Sequence, residues 1–378
     1  MVLKRCRVCN HRFPDQPLLE YKNMPMAAQF LPDNKNIKND KGINLKIYQC
    51  PGCGLIQLSN TPVPYYKEVI RATSVSKEMQ KFRRKQFKSF VKNFSLRNKK
   101  IIEIGCGYGE YLSIMERYCL NVYGLEFSAN AVKKCRDKGL NVYRGFINND
   151  MYHIKDAPFD AFFMLNFLEH LPEPNTVLTG IYNNLKEDGV GIVEVPNFDM
   201  IIRNKLFSEF IADHIFYFTQ NTLTKLLTLN GFEVIEVSEI WHKYIISAIV
   251  RKRKILNLSE FYEISERLKE EINLYIKGFN NVAIWGAGHQ ALTLISLLNL
   301  KNKIKYVIDS AVFKQGKYTP VSHIPIVSPE MLISDPVDVI IVMAASYSDE
   351  VIKIIKRKYS EKIKIAVIKD SYLKIIRK

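Results

Sequence analysis

Between residues 101 and 195 short apolar runs alternate with stretches of helical periodicity, and that alternation predicts an α/β domain. The apolar runs predict strands at 101–104, 122–126, 141–144, 159–165 and 191–195, with helices at 110–118, 128–137 and 173–186. Such an order implies a parallel, doubly wound sheet with ligands at the carboxyl ends of its strands. Two further apolar stretches, 231–237 and 244–250, predict a closing antiparallel pair. Upstream, Met79, Phe82, Phe87, Phe90 and Val91 recur at helical intervals and predict a long helix over 74–94. Downstream, a charged helical segment at 257–277 bridges to a second, smaller α/β unit. Its strands are predicted at 282–285, 306–309 and 337–343, with a last one near 363–367.

At 378 residues the chain is long enough for two or three domains. The pattern divides it into 1–60, 61–255 and 256–378. Hydrophobic residues make up 47%, ample for sizeable cores, and no segment has the apolar length of a membrane span. The first residues lack an apolar signal core, so a cytoplasmic location is expected. The net charge of +17 is uneven: +15 over residues 1–100, −5 over 101–300 and +7 over 301–378. Basic flanks of this kind suit nucleic acid, a membrane surface or a phosphorylated small substrate. The basic cluster at 81–88 carries apolar residues at helical spacing and reads as a solvated helix face.

Seven cysteines divide into two kinds. Cys6 and Cys9, and Cys50 and Cys53, form two C-x-x-C knuckles, whereas Cys106, Cys119 and Cys135 are scattered. Paired knuckles without a secretion signal point to thiolates on a metal, and four thiolates suit structural, tetrahedral zinc, with an iron–sulfur centre or a redox pair as the alternatives.

The run 101–109 ends in Glu103-Ile104-Gly105-Cys106-Gly107-Tyr108-Gly109, and Glu126 closes the next strand. Glycines let the backbone approach a ligand closely, and an acid at the end of the second strand is placed to accept a ribose diol. Glu103 would repel a pyrophosphate but suits the amino end of a cationic ligand. This pattern resembles motif I of class I S-adenosylmethionine-dependent methyltransferases. The second unit opens with Trp285-Gly286-Ala287-Gly288-His289-Gln290-Ala291, and Asp309 ends its next strand. That is half of a dinucleotide fold, enough for one mononucleotide.

Two histidines stand near the strand ends. His170 follows the fourth strand, and His214 sits beside Asp213 in an aromatic run. A neutral imidazole can take a proton from a carbon or hydroxyl nucleophile, and Asp213 could raise its basicity. Helix capping by His170 and packing by His214 are the bland alternatives. Tyr65, Tyr66 and Arg71 are candidates to close over a cofactor.

The whole chain resembles the three-domain deoxysugar C-methyltransferases. The resemblance is carried by Cys6, Cys9, Cys50 and Cys53, the Glu103–Gly109 loop, Asn166-Phe167-Leu168-Glu169-His170, Asp213-His214, Trp285-Gly286-Ala287-Gly288 and His323-Ile324-Pro325-Ile326. It implies a zinc module, a class I methyltransferase domain and a C-terminal Rossmann-like domain. It implies a nucleotide-linked 4-keto sugar as substrate, held between the middle and C-terminal domains. Such sugars belong to surface polysaccharides or secondary metabolites. His214 matches the histidine that removes the proton beside the ketone, and His170 the one near the enolate. Glu103, Gly105, Gly107, Gly109, Glu126 and Asn166 match cofactor positions, with Phe146 on the adenine side and Tyr66 as a further catalytic candidate. Two positions depart: Asp213 stands where the family has Glu, and Ile211 where it usually has Tyr. O-methylation of a sugar or phosphorylated metabolite is the runner-up. A nucleic-acid methyltransferase and a nicotinamide-dependent sugar oxidoreductase are further alternatives. The chain lacks an Asn/Asp-Pro-Pro-Tyr/Phe motif and a Pro-Cys nucleophile, and no nucleic-acid partner is expected.

Overall fold

The run 101–104 lies inside a seven-stranded sheet in a computed structural model, which describes residues 3–29, 31–68, 75–359 and 361–377. Arg71 and residue Ser74, the start of the long helix expected from the sequence, lie outside the described residues. The chain forms two compact units, Met1–Lys254 and Ile255–Lys378.

The first unit begins with β1 (Leu19–Met24), β2 (Ile43–Gln49) and β3 (Ile56–Leu58), then α1 (Lys77–Asn93). The alternating part follows: β4 (Lys100–Ile104), α2 (Glu110–Met115), β5 (Asn121–Glu126), α3 (Ala129–Asp137), β6 (Val142–Arg144) and β7 (Phe159–Leu165). It continues with α4 (Pro174–Asn183), β8 (Leu185–Pro196), α5 (Phe198–Arg203) and β9 (Phe216–Tyr217). The unit closes with α6 (Gln220–Leu229), β10 (Phe232–Ile240) and β11 (Ile245–Lys252).

The sheet order is β10-β11-β8-β7-β4-β5-β6, parallel except that β11 runs antiparallel to both its neighbours. Chain order reverses between β4 and β7, so the crevice above their carboxyl ends is the place for a ligand. Period-2 alternation splits each strand between two cores. Ile102, Ile104, Phe162 and Met164 pack on one face, and Ile101, Ala161, Phe163 and Leu165 on the other. Helix α1 covers the second face, with Ser76 capping Met79 N and Phe87, Phe90 and Val91 buried one turn apart. Each such apolar side chain contributes about 1.5–3 kcal/mol on burial.

Three features differ from the sequence reading. Helix α4 stops at Asn183, because the Asn184 side chain turns to Ile154 N and Leu185 pairs with Phe159. The expected break at residue 60 is bridged: β1, β2 and β3 form a sheet completed by distant β9, with Ile56 opposite Tyr217. The cluster at 81–88 is not wholly solvated, since Arg83 is 0% exposed.

The second unit holds α7 (Ser259–Ile276), β12 (Val282–Trp285), α8 (His289–Leu297), β13 (Tyr306–Ile308), β14 (Ile326–Val327) and α9 (Met331–Ser334). It ends with β15 (Val339–Val342), α10 (Ser348–Lys358), β16 (Lys364–Lys369) and β17 (Tyr372–Ile376). The order is β14-β13-β12-β15-β16-β17, with only the last pair antiparallel. Among the described residues no helix is long and apolar enough to cross a membrane.

Candidate active site

Gly105, Gly107 and Gly109 all take positive φ as the chain turns from β4 into α2. At Gly105 a β-carbon would meet the Phe167 ring at 2.7 Å, so only glycine fits there. Glu126, at the end of β5, is buried and accepts from Gly107 N and Ser128 N, both at 2.8 Å. Burial pushes its pKa up against those amide hydrogen bonds. A carboxylate has about four acceptor sites, so two remain for a diol. Glu103 is buried on β4 beneath the loop. Asn166 follows β7 with φ of 51° and donates its N–H to Glu194 O. Asparagine tolerates that conformation better than most residues.

Phe146 lies on the β5–β6 side, edge-on to Phe127 at 6.3 Å and to Tyr66 at 6.1 Å. The Lys67 ammonium lies 5.3–5.8 Å from all three rings. Lys67, Phe146 and Phe127 line a small apolar pocket that reaches Gly105 and Phe167. Lys67 was missed from sequence; a lysine beside two tyrosines carries no local signal. A larger cavity of about 510 Å³ lies in the second unit, beside α10, β16 and β17.

His170 and His214 meet edge to face, ring centroids 4.8 Å apart. His170 Nδ1 lies 2.8 Å from the Asp213 carbonyl oxygen. A carbonyl only accepts, so Nδ1 carries the proton and Nε2 keeps its lone pair. Glu169 Oε1 stands 3.8 Å from that Nε2. Burial pushes both imidazole pKa values down, His214 to about 3 with a smaller effect from His170. Burial also pushes Glu169 up to about 8, leaving the cluster uncharged at neutral pH.

The electrostatic lift expected from Asp213 on His214 falls instead on His170, where the larger effect of burial outweighs it. The Asp213 carboxylate turns away, accepting from Tyr65 OH and Ala28 N at 2.8 Å each. The tyrosine that reaches it is therefore Tyr65. Tyr66 packs against Phe146 instead.

In the amino-terminal part, Cys6, Cys9, Cys50 and Cys53 bring their sulfurs within 4.8 Å of one another. Cys6 and Cys53 lie 3.6 Å apart, and Cys9 and Cys50 3.3 Å. Four thiolates at about 2.3 Å from a tetrahedral zinc lie about 3.8 Å from one another, so this donor set fits. In the second unit Asp309 accepts from Ala287 N, Ala311 N and Lys314 Nζ, each at 2.8 Å. Its loop is thus braced as Glu126 braces the first.

A family described as a methyltransferase domain matches residues 79–237, and one described as a C-methyltransferase C-terminal domain matches residues 256–368. The chain is an S-adenosylmethionine-dependent methyltransferase. The methyltransferase is 24% identical over 391 residues to the C-methyltransferase NovU of Streptomyces niveus, covering 93% of this chain and 91% of the relative. It is 28% identical over 111 residues to a ubiquinone biosynthesis O-methyltransferase of Xylella fastidiosa strain M23, covering 28% of this chain and 45% of the relative. Among solved structures, an S-adenosylmethionine-dependent methyltransferase of Clostridium acetobutylicum superposes with a TM-score of 0.39 at 13% identity. That superposition covers 50% of this chain and 96% of the other.

The methyltransferase's glycine cradle and braced Glu126 fit an adenosyl cofactor. Gly105→Ala is expected to cost about 1–3 kcal/mol of stability through its positive φ and to weaken S-adenosylhomocysteine binding. Thermal melts with and without that ligand check both effects. Glu169 gives a pH signature. Its folded pKa is raised from 4.5 to about 8, so the folded enzyme holds a proton that the unfolded chain releases. Stability contributed by that group is full below about pH 4.5 and is lost as pH rises to about 8. Glu169→Gln keeps a neutral side chain, and melts across that window are expected to lose this slope.

Proposed function

We propose that the enzyme C-methylates a nucleotide-linked 4-keto sugar through an enolate formed by His214. The observation that carries this reading is the pair of neutral imidazoles, His170 buried and His214 half-buried, near the carboxyl end of β7. NovU, similar over nearly the whole chain, is named a C-methyltransferase, and the match at 256–368 has the same chemistry in its description. The substrate class follows from the resemblance to deoxysugar C-methyltransferases.

A ketone makes the neighbouring C–H acidic enough for imidazole to remove its proton. A ring nitrogen of His214 takes that proton, and the C–H electron pair becomes the enolate. In this reading His170 lies near the enolate, its Nδ1–H held by the Asp213 carbonyl and its Nε2 keeping its lone pair. S-adenosylmethionine supplies, when bound, an electrophilic methyl group on a sulfonium. Glu103, Gly105, Gly107, Gly109, Glu126 and Asn166 hold the cofactor in this reading, with Phe146 beside the adenine. In-line placement then does the remaining work. The four cysteines hold one structural zinc with no open position for catalysis. The glycine turn after β12 serves the nucleotide moiety.

Incubation with ¹³C-methyl-labelled cofactor and a panel of 4-keto nucleotide sugars tests the proposal. The labelled carbon is expected on a ring carbon of the product. A label on oxygen would replace C-methylation by O-methylation of a hydroxyl.

A further inference from the structure

Among the described residues two groups bring three or more metal-binding side chains together: the cysteine cluster, and Glu169, His170 and His214. In the second group one ligand atom from each residue lies within 4.8 Å of the others. Glu169 and His170 are buried, and half-buried His214 gives an ion its way in. The reaction proposed above uses the two imidazoles and gives Glu169 no task.

The donor atoms are arranged for a cation. Glu169 Oε2 is buried without a hydrogen-bond partner, a costly state unless something electropositive meets it. Glu169 Oε1 lies 3.8 Å from His170 Nε2. His170 gives its Nδ1–H to the Asp213 carbonyl at 2.8 Å, so the lone pair left on the ring is the one on Nε2. Metal-bound histidines are oriented by the same kind of outer contact. Ile215 N, next to His214, donates to Glu169 O at 3.0 Å, and Leu58 N on β3 donates to Ile215 O at 2.9 Å. The two loops that carry the donors are therefore fixed to each other. Nitrogen and oxygen donors on a tetrahedral zinc stand about 3.4 Å apart. Closing the group onto an ion then moves each side chain by less than about 1 Å.

We infer that Glu169, His170 and His214 bind one divalent transition cation of the zinc type, at a site separate from the cysteine cluster. Two imidazoles and a carboxylate suit zinc and its first-row neighbours, whereas magnesium and calcium take oxygen donors. Three protein ligands leave a tetrahedral ion one open position, and they hold it more weakly than four thiolates, so the cysteine cluster fills first. The ion takes the lone pairs of both imidazoles and so blocks proton abstraction by His214. That consequence rests on the proposed function; the binding itself does not. Zinc then acts on this enzyme in opposite ways, structural at the cysteines and inhibitory at the histidines.

The test is calorimetric titration of the full chain with zinc, once elemental analysis shows the cysteine cluster filled. One further equivalent is expected. Cobalt added to the same chain is expected to give visible d–d bands without the thiolate charge-transfer band that cysteine ligands add. Glu169→Gln is expected to weaken the further equivalent by more than about 100-fold, since a group that merely orients a ligand is worth about 10- to 100-fold. His214→Asn is expected to lose it too, and keeps the test valid if the first variant misfolds. With a responsive 4-keto sugar, added zinc is expected to stop wild-type turnover and spare Glu169→Gln, each measured against its own rate with only the cluster filled. No further equivalent, a thiolate band, or a further equivalent that both variants bind unchanged would overturn the site. A further equivalent lost in both variants, with wild-type turnover undiminished by zinc, would keep the site and strike out His214 as the base.

Discussion

His214→Asn is expected to lower turnover by about 10²–10⁴-fold, the usual worth of a positioned general base, with S-adenosylhomocysteine affinity unchanged. Asparagine approximates the size of the ring but cannot accept and carry the proton. His214 is not among the residues that hold the cofactor in this reading, so cofactor binding is expected to be spared. Burial also shapes the pH profile. The base must be neutral to act, and its free-enzyme pKa is pushed from 6.5 down to about 3. The acid limb of kcat/KM is therefore expected well below pH 6.5, with activity kept as pH falls through that value. Turnover and calorimetry on the same preparation check the variant. Normal turnover would remove His214 from the mechanism.

Zinc removal, or Cys50→Ser, is expected to have the largest effect on stability. Cys6 and Cys50 are buried, and Cys6 Sγ also accepts from the buried Gln57 side chain on β3. That strand pairs with β9, which begins two residues after His214. Loosening the cysteine cluster therefore loosens the strand that anchors the proposed base. Structural zinc contributes on the order of 10 kcal/mol in small metal modules. Even half of that would lower Tm by about 10–20 °C for a unit of this size. Elemental analysis is expected to find one zinc per chain, and chelation to lower both Tm and turnover. An unchanged Tm after complete chelation would deny the cluster its structural role.

The glycine loop and Glu126 were legible because a strand, three alternating glycines and a second acid are local signals. The alternation of strands and helices was legible for the same reason. Arg83 was not. A cation among apolar residues at helical spacing looks identical whether solvent or Glu194 meets it, and Glu194 lies 111 residues downstream. The four-stranded sheet was missed because β9 has two residues and pairs across more than 150 positions. The Asp213–His214 pair was adjacent in sequence, but its carboxylate follows Tyr65 and Ala28, which sequence adjacency cannot reveal. His170 and His214 are 44 residues apart, and only the loop that returns over β7 brings their rings together.

The most direct measurement of carbanion chemistry is proton exchange by NMR in deuterated water, with a panel of 4-keto nucleotide sugars and S-adenosylhomocysteine bound. Wild-type enzyme is expected to erase the signal beside the ketone of its own sugar, and His214→Asn to leave it intact. No exchange across the panel, with the ligand demonstrably bound, would contradict enolate formation and move the reaction to a hydroxyl oxygen.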